Sequence, residues 1–520
     1  MKGTILKVAF SLSLLLCFLV LPSQTVQQFQ KTYGGTLSDE GIAIPSKDTG
    51  YAMLCTIQNT LNTNISLVKT DKFGDTVWTK TYDFVGGDMA GINFIQTRDT
   101  GFLFTCLVAG RVIAVKTDKF GDTLWVKPCG GSKGLVQTMD GGYAHTSGNH
   151  IFKRDSAFNI QWIIKYGAGN LDYGMPSILK QTQDSGFILA GGTKHLASGG
   201  ILDQDMYIVK TDKNGQVQWT RSLGSPSSAE YVERIIECSI GGYALVSHTL
   251  ACSGLYDLLV VRLDANGNVT WSKVYGATYG TSGSFIAEAR RYHGFIICGI
   301  TAGFESTYYP APKSFMIKTD LNGVFQWGMM YGNLVPNPNE ADVVNNLFET
   351  PDSGYVMSGY TVGLSQQAGY TDAWLIKTNA YGVSGCNEQG MVPTVFNCSL
   401  IDSSGGTGIP VTMTLPDTNI QYANSSLTVT TLCSNILTGI GTIKNNSGIL
   451  MYPNPTNSQL TISSPVEAKV EIHSLLGQFI GDWHISIGDN QIILGKQSPG
   501  VYIARIVSED GIHVSRIIIQ

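Results

Sequence analysis

Lys69-Thr70-Asp71-Lys72-Phe73-Gly74-Asp75-Thr76-Val77-Trp78 is the stretch from which the chain is best read. A basic residue, an acid, a turn glycine and a closing tryptophan follow one another at fixed spacing. The phrase returns at Lys116…Asp118…Gly121…Trp125 and, in degenerate form, at Lys153…Asp155…Trp162. Three good copies follow, ending in Trp219, Trp271 and Trp327. A seventh, Lys377…Asn379…Gly382, has Cys386 where the tryptophan is due. Asp or Asn caps its own backbone and glycine accepts positive φ, so Asp212-Lys213-Asn214-Gly215 and its relatives read as hairpin turns.

A second landmark keeps the same count. Gly50-Tyr51, Gly101-Phe102, Gly142-Tyr143, Gly186-Phe187, Gly242-Tyr243, Gly294-Phe295 and Gly354-Tyr355 stand about 41 to 60 residues apart. That period suits four-stranded β-propeller blades with loop insertions. The missing seventh tryptophan has a counterpart near the N-terminus. Phe29-Gln30-Lys31-Thr32-Tyr33-Gly34 reads like the strand Trp78-Thr79-Lys80-Thr81-Tyr82. An N-terminal strand that completes the last repeat closes a ring and removes two free sheet edges. The expectation is an all-β chain with a seven-bladed β-propeller over 27–386. The phrase resembles the tryptophan-docking motif of quinoprotein-type propellers, with the Asp–Gly gap one residue shorter, and implies shared blade mechanics. No cofactor is expected from it.

Composition agrees with an all-β reading. Only 14% of the 520 residues are charged, against roughly 25% in a typical globular chain. Glycine occurs 60 times, and the length calls for more than one domain. Net charge is −5 without a basic block, which argues against nucleic acid as a partner. Lys2 and Lys7 precede an apolar run from Val8 to Leu21, and Pro22-Ser23-Gln24 follows. This is the pattern of a secretory signal peptide over 1–25, too short for a membrane span, so no span is expected after its removal. Cys17 follows Leu16 where a lipoprotein needs a small residue. Cys55, Cys106 and Cys298 occupy similar strand positions and read as small buried hydrophobes.

After Cys386 the phrase stops. Residues 387–445 are rich in Ser, Thr, Gly and Asn, with β-like runs at Pro410–Leu415 and Leu427–Leu432. They read as a β-rich linker module stapled by Cys398 and Cys433. The last segment begins Met451-Tyr452-Pro453-Asn454-Pro455. It continues through Leu475-Leu476-Gly477-Gln478 to Gly500-Val501-Tyr502. Over 449–520 it resembles the type A sorting domain of the Bacteroidetes type IX secretion system, departing from the family at His473-Ser474. The resemblance implies a partnership with the type IX machinery, export through the periplasm and across the outer membrane, and release or surface attachment. Leu460 and Ile462, Val470 and Ile472, and Tyr502, Ala504 and Ile506 alternate with period two, as a small β-sandwich requires.

Catalytic, cofactor-binding and metal-binding sets are not found in the sequence. The 8 histidines are scattered, and neither a zinc spacing, a nucleophile elbow nor a phosphate loop occurs. Asp205, Asp257 and Asp372 share one position, five residues before the basic residue, filled elsewhere by Asn64, Arg111 and Lys313. Strand-start capping is the simpler reading of that set. The repeated basic residues are expected to pair with turn aspartates at the blade surface. The longest insertions are His195–Gln204 and Phe304–Lys313, and Tyr308 and Tyr309 in the second would suit stacking on a sugar. The function expected is therefore a non-catalytic surface or secreted propeller that binds glycan or protein through its loops. A carbohydrate-active enzyme with an axial site is the alternative.

Overall fold

The computed structural model describes residues 27–519 except 59–62, 84–88, 132, 168–177, 195–203, 226–227, 231, 253–254, 278, 291–292, 303–310, 336, 406, 412–420, 425–427, 437–449, 453–455, 457–458, 475–478, 496, 498–499 and 509–510. The leader segment therefore lies outside the described residues, which contain strands and turns and no helix. Seven antiparallel sheets come first. Their opening strands are Asp39–Pro45, Met89–Gln96, Lys133–Gln137, Ile178–Gln181, Arg234–Glu237, Thr281–Glu288 and Asp342–Glu349, which define sheets 1 to 7.

Within each of sheets 1 to 6, four strands follow in chain order. Sheet 7 draws its fourth strand, Gln27–Gly34, from the N-terminus. The register shows that this is a true substitution. Trp78 lies opposite Lys69, Trp219 opposite Lys210, Trp271 opposite Arg262 and Trp327 opposite Lys318. Phe29 lies opposite Lys377 in the same way.

The tryptophan of one sheet packs on the turn glycine of the next. Gly121 has φ +82°, and a Cβ there would stand 2.9 Å from the Trp78 ring. Gly74, at φ +76°, meets Phe29 at 2.8 Å instead, so the phenylalanine does the tryptophan's work. Only glycine combines that backbone conformation with such close approach. Four residues past the ring comes a tyrosine whose hydroxyl donates to the same glycine's carbonyl. Tyr82 reaches Gly121 at 2.7 Å, Tyr166 reaches Gly215 at 2.7 Å and Tyr275 reaches Gly323 at 2.6 Å. Tyr33 reaches Gly74 at 2.5 Å across sheets 7 and 1. Apolar clusters fill every junction, from Leu54 with Phe104 between sheets 1 and 2 to Met357 with Cys298 between sheets 7 and 6. Phe29, Met53 and Leu375 join sheets 7 and 1.

The segment expected to be a linker module lies along these sheets as a fifth strand. Glu388–Gly390 pairs with sheet 6, Thr394–Asn397 with sheet 5, Ile401–Ser403 with sheet 4 and Thr407–Pro410 with sheet 3. Gln421–Asn424 then pairs with sheet 1, and Thr428–Ile436 with the N-terminal strand on sheet 7. The belt strands begin every six or seven residues, at 388, 394, 401 and 407. Among the described residues sheet 2 has four strands and no fifth. Each added strand covers an outer edge that would otherwise offer unpaired N–H and C=O groups.

Two disulfides fasten the belt, and they correct the pairing expected between Cys398 and Cys433. Cys386 joins Cys433, and Cys252 joins Cys398. Cys398 and Cys433 follow different sheets, 5 and 7, so the wrapped chain keeps them apart. Cys386 begins the belt and Cys433 ends it, so the bridge closes the belt on itself. Cys55, Cys106, Cys129, Cys238 and Cys298 are buried free thiols, consistent with a packing role.

Residues from Leu450 form two smaller sheets around Leu460, Ile462, Val470, Ile472, Ala504 and Ile506, all buried. Their period-two burial follows from one apolar face on each strand.

Phe29 is only 2% exposed, so Phe29→Ala should destabilise the chain by about 3–5 kcal/mol, read as a lower urea midpoint. Replacing Cys386 and Cys433 by Ser opens a loop spanning 47 residues in sequence, for which chain entropy gives about 4 kcal/mol. Limited proteolysis should then cut the double variant within 388–436 before the wild type.

Candidate functional site

The opening strands of sheets 1, 4, 5, 6 and 7 converge on a cavity of about 640 Å³. Its wall includes Pro45, Lys180, Ile236, Phe285, Phe348 and the three glutamates Glu237, Glu288 and Glu349. A volume of this size falls within the range of small-ligand sites.

The rim is a ladder between neighbouring sheets. Gln96 Oε1 accepts Lys47 N–H at 2.8 Å, Gln137 accepts Arg98 N–H at 2.8 Å, and Gln181 accepts Met139 N–H at 2.7 Å. The series continues in carboxylates. Glu237 accepts Gln183 N–H at 2.9 Å, Glu288 accepts Ser239 N–H at 2.8 Å, and Glu349 accepts Arg290 N–H at 2.8 Å. Pro45 holds the corresponding place in sheet 1 and offers no side-chain acceptor, so the ladder stops where the chain's ends meet. Amide acceptors on one half and carboxylates on the other make the rim electrically lopsided.

The repeated basic residues are buried, not superficial. Lys69, Lys116, Lys153, Lys210 and Lys377 have side chains 2–6% exposed. They pair at 2.8–3.0 Å with Asp48, Asp99, Asp140, Asp184 and Asp352, the acids two places before each landmark glycine. Burial pushes the Asp140 carboxyl up, but hydrogen bonds from Lys153, Thr138 and the Gly142 N–H outweigh it and hold it at about 2. Ile240 and Tyr292 stand at that place in sheets 5 and 6, and there the cation turns to carbonyls. Arg262 donates to Tyr243 O at 3.0 Å, and Lys318 to His293 O at 2.6 Å.

Asp205, Asp257 and Asp372 do not gather. Among the described residues no three His, Cys, Asp or Glu side chains could hold a metal ion together. Asp257 accepts Ala277 N–H at 3.3 Å and Thr281 Oγ1–H at 3.1 Å, and Asp372 accepts Gln366 N–H at 2.8 Å. Lys313 departs from the set and forms a fully buried pair with Asp342 at 2.8 Å. Tyr308 and Tyr309, with most of both insertions, lie outside the described residues.

In the last domain Tyr452 is 44% exposed, and its hydroxyl donates to Asp489 Oδ2 at 2.9 Å, while Tyr502 is buried. Gly500 and Val501 pair with Ile519 and Ile518 on the neighbouring strand. Pro453, Asn454, Pro455, Leu476 and Gly477 lie outside the described residues.

The ladder had a sequence signal that the search for chemistry passed over. Gln96, Gln137, Gln181, Glu237 and Glu349 each stand five residues before a landmark glycine, and Glu288 stands six before.

This small sandwich is a sorting module. Residues 450–520 match the family model described as the secretion system C-terminal sorting domain. The protein is thus exported by the type IX system across the outer membrane, to the cell surface or the medium. No helix among the described residues is long and apolar enough to cross a membrane. Comparison with curated proteins finds no match. Among solved structures, a protein of unknown function from Bacteroides caccae is 11% identical, with 47% of this chain and 93% of that one covered and a TM-score of 0.31. PorZ, an essential surface component of the type IX secretion system of Porphyromonas gingivalis, is 10% identical. Its coverage is 95% of this chain and 100% of its own, at a TM-score of 0.23.

The seam between sheets 7 and 1 carries a pH dependence. Asp39 and Asp372 are buried on either side of Gly34. Burial, with Asp372 adding to it against the N–H groups of Gly35 and Gln58, pushes the Asp39 carboxyl up to about 6. A raised pKa means the folded chain binds the extra proton between about pH 4 and 6, so its contribution to stability is lost as pH rises through that window. Asp39→Asn removes that slope. Urea midpoints of the two chains should diverge in the wild type's disfavour from pH 4 to 6 and stay parallel above pH 7.

Proposed function

We propose that sheets 1 to 7 are the blades of a closed seven-bladed β-propeller over 27–386, with the opening strands innermost. On this reading 1–25 is a signal peptide, 387–445 is the belt with its exit, and 449–520 is the sorting domain. The exported propeller recognises a glycan or a protein at the face where the axial cavity opens, and does so without catalysis.

The observation that carries this reading is the ladder. The three glutamates that face the cavity each accept a backbone N–H from the neighbouring blade. A carboxylate oxygen so engaged is committed to bridging neighbouring blades, which suits a shaped wall. Supporting it, the polar residues of the repeated phrase are taken up by the ion pairs and turns that build each blade.

The test is a glycan-array screen of the fragment from Gln27 to Ile436, which keeps the belt, with reducing-end release assayed on every hit. Binding without turnover is the expected result. Turnover would overturn the non-catalytic reading in favour of a carbohydrate-active enzyme.

A further inference from the structure

We propose that the axial cavity holds an anion site in which Lys180 and Arg234 receive the carboxylate of an acidic sugar. The proposal rests on the glycan-recognition reading and specifies its ligand.

Position comes first. Lys180 lines the cavity from blade 4. Arg234 stands two residues before Ile236, and side chains two apart on a strand share a face. Ile236 and Phe285 line the cavity, and the Arg234 guanidinium lies 4.0 Å over the Phe285 ring. The repeat makes both cations conspicuous. The place of Lys180 is held in the other blades by Ile44, Ile95, Val136, Ile236, Ala287 and Phe348. A blade needs no charge there, so the two cations are additions to the scaffold.

Neither cation is neutralised by the protein. Among the described residues, neither Lys180 nor Arg234 has a hydrogen-bond or ion-pair partner, and Arg234 Nε is buried without one. This contrasts with the blade lysines, each of which has its aspartate. Burial pulls Lys180 down to about 8, with Arg234 adding to it, and burial pulls Arg234 down to about 10. Both side chains are half-buried, and two like charges so placed repel one another less when an anion comes between them.

The surroundings select the kind of anion. A guanidinium stacked on an aromatic ring keeps its N–H edge free and offers a planar fork that fits a carboxylate. Phe285 and Phe348 supply apolar faces against which a sugar ring can lie. Glu237, Glu288 and Glu349 at the rim repel ligands of high charge density, such as phosphate dianions or heavily sulfated chains. One carboxylate per sugar is the compromise that satisfies both.

The experiment is calorimetric titration of the full exported chain with trigalacturonate, its methyl ester, and inorganic sulfate. The ester keeps shape and removes charge. Trigalacturonate should bind at least about tenfold more tightly than the ester or sulfate. Lys180→Met and Arg234→Met should each weaken it by about tenfold or more without lowering the thermal midpoint, since each removes an unpaired half-buried charge. Equal affinity for the ester, equal affinity for sulfate, or undiminished binding in both variants would overturn the site. Failure of the broader reading looks different. Neutral glycans bound alike by wild type and variants would keep glycan recognition and sink the anion site. Trigalacturonate bound through Lys180 and Arg234 and then cleaved would keep the anion site and sink the non-catalytic reading.

Discussion

Every junction between consecutive sheets has the same mechanical problem: two twisted sheets must meet at a fixed angle with no covalent link to hold them. The chain solves it by seating an aromatic ring of one sheet on the turn of the next, on a glycine at six of the seven junctions, and at five of them by hydrogen-bonding a tyrosine to that glycine's carbonyl. The ring supplies buried area, and the hydroxyl adds roughly 1 kcal/mol and, more usefully, a direction. Where the turn lacks glycine the device bends but survives. Phe158 stands there in blade 3 at φ +68° and packs its own ring against Trp125, 5.0 Å between centroids. The same dock fixes the seam, because Phe29 and Tyr33 are the ring and the hydroxyl for Gly74. The N-terminal strand is held by sheet pairing along both edges and by docking of Phe29 and Tyr33 onto sheet 1.

The belt answers a second problem that docking leaves open. A four-stranded sheet ends in an outer strand whose backbone groups face water, a template for pairing with other chains. A segment that crosses the outer edges of sheets 1, 3, 4, 5 and 6 for three or four residues satisfies those groups while presenting only short edges of its own. Running against the order of the sheets, it returns to sheet 7 beside the N-terminal strand, where Gln30 lies opposite Cys433. The bridge from Cys386 to Cys433 therefore ties the start of the belt, the end of the belt and the seam into one locus. Outward movement of any blade has to stretch that loop. An oxidising destination outside the cytoplasm is where such bridges persist.

Much of this was legible in the sequence, and the parts that were not share a cause. The seven phrases, the orphan Phe29–Tyr33 strand and the sorting segment are local patterns, so residue spacing reveals them. The missing tryptophan even located its replacement. The belt was misread because its strands have no partner within reach along the chain. Thr394–Asn397 makes sense only against Val269–Gly276, more than a hundred residues earlier, and loses its Ser/Thr-rich, linker-like look only there. The disulfides failed for the same reason, since a wrapped path brings Cys252 to Cys398 across 146 residues. The ladder was periodic and visible, but glutamine and glutamate beside a turn read as ordinary surface residues until their acceptors are seen to bridge blades.

Function in such an architecture has to come from departures. A repeat spends its regular residues on holding itself together, so Lys69 with Asp48 or Gln96 with Lys47 carries no message about a ligand. Lys180 and Arg234 are different because the repeat does not require them and the fold does not neutralise them. The rim changes from glutamine on sheet 4 to glutamate on sheet 5, the two sheets that carry the cations, so both departures act on one region of the cavity. A wall that gathers unpaired positive charge beneath a negative rim stabilises the fold less than plain apolar residues would. Its presence is best explained by something that enters the cavity and completes the charge balance.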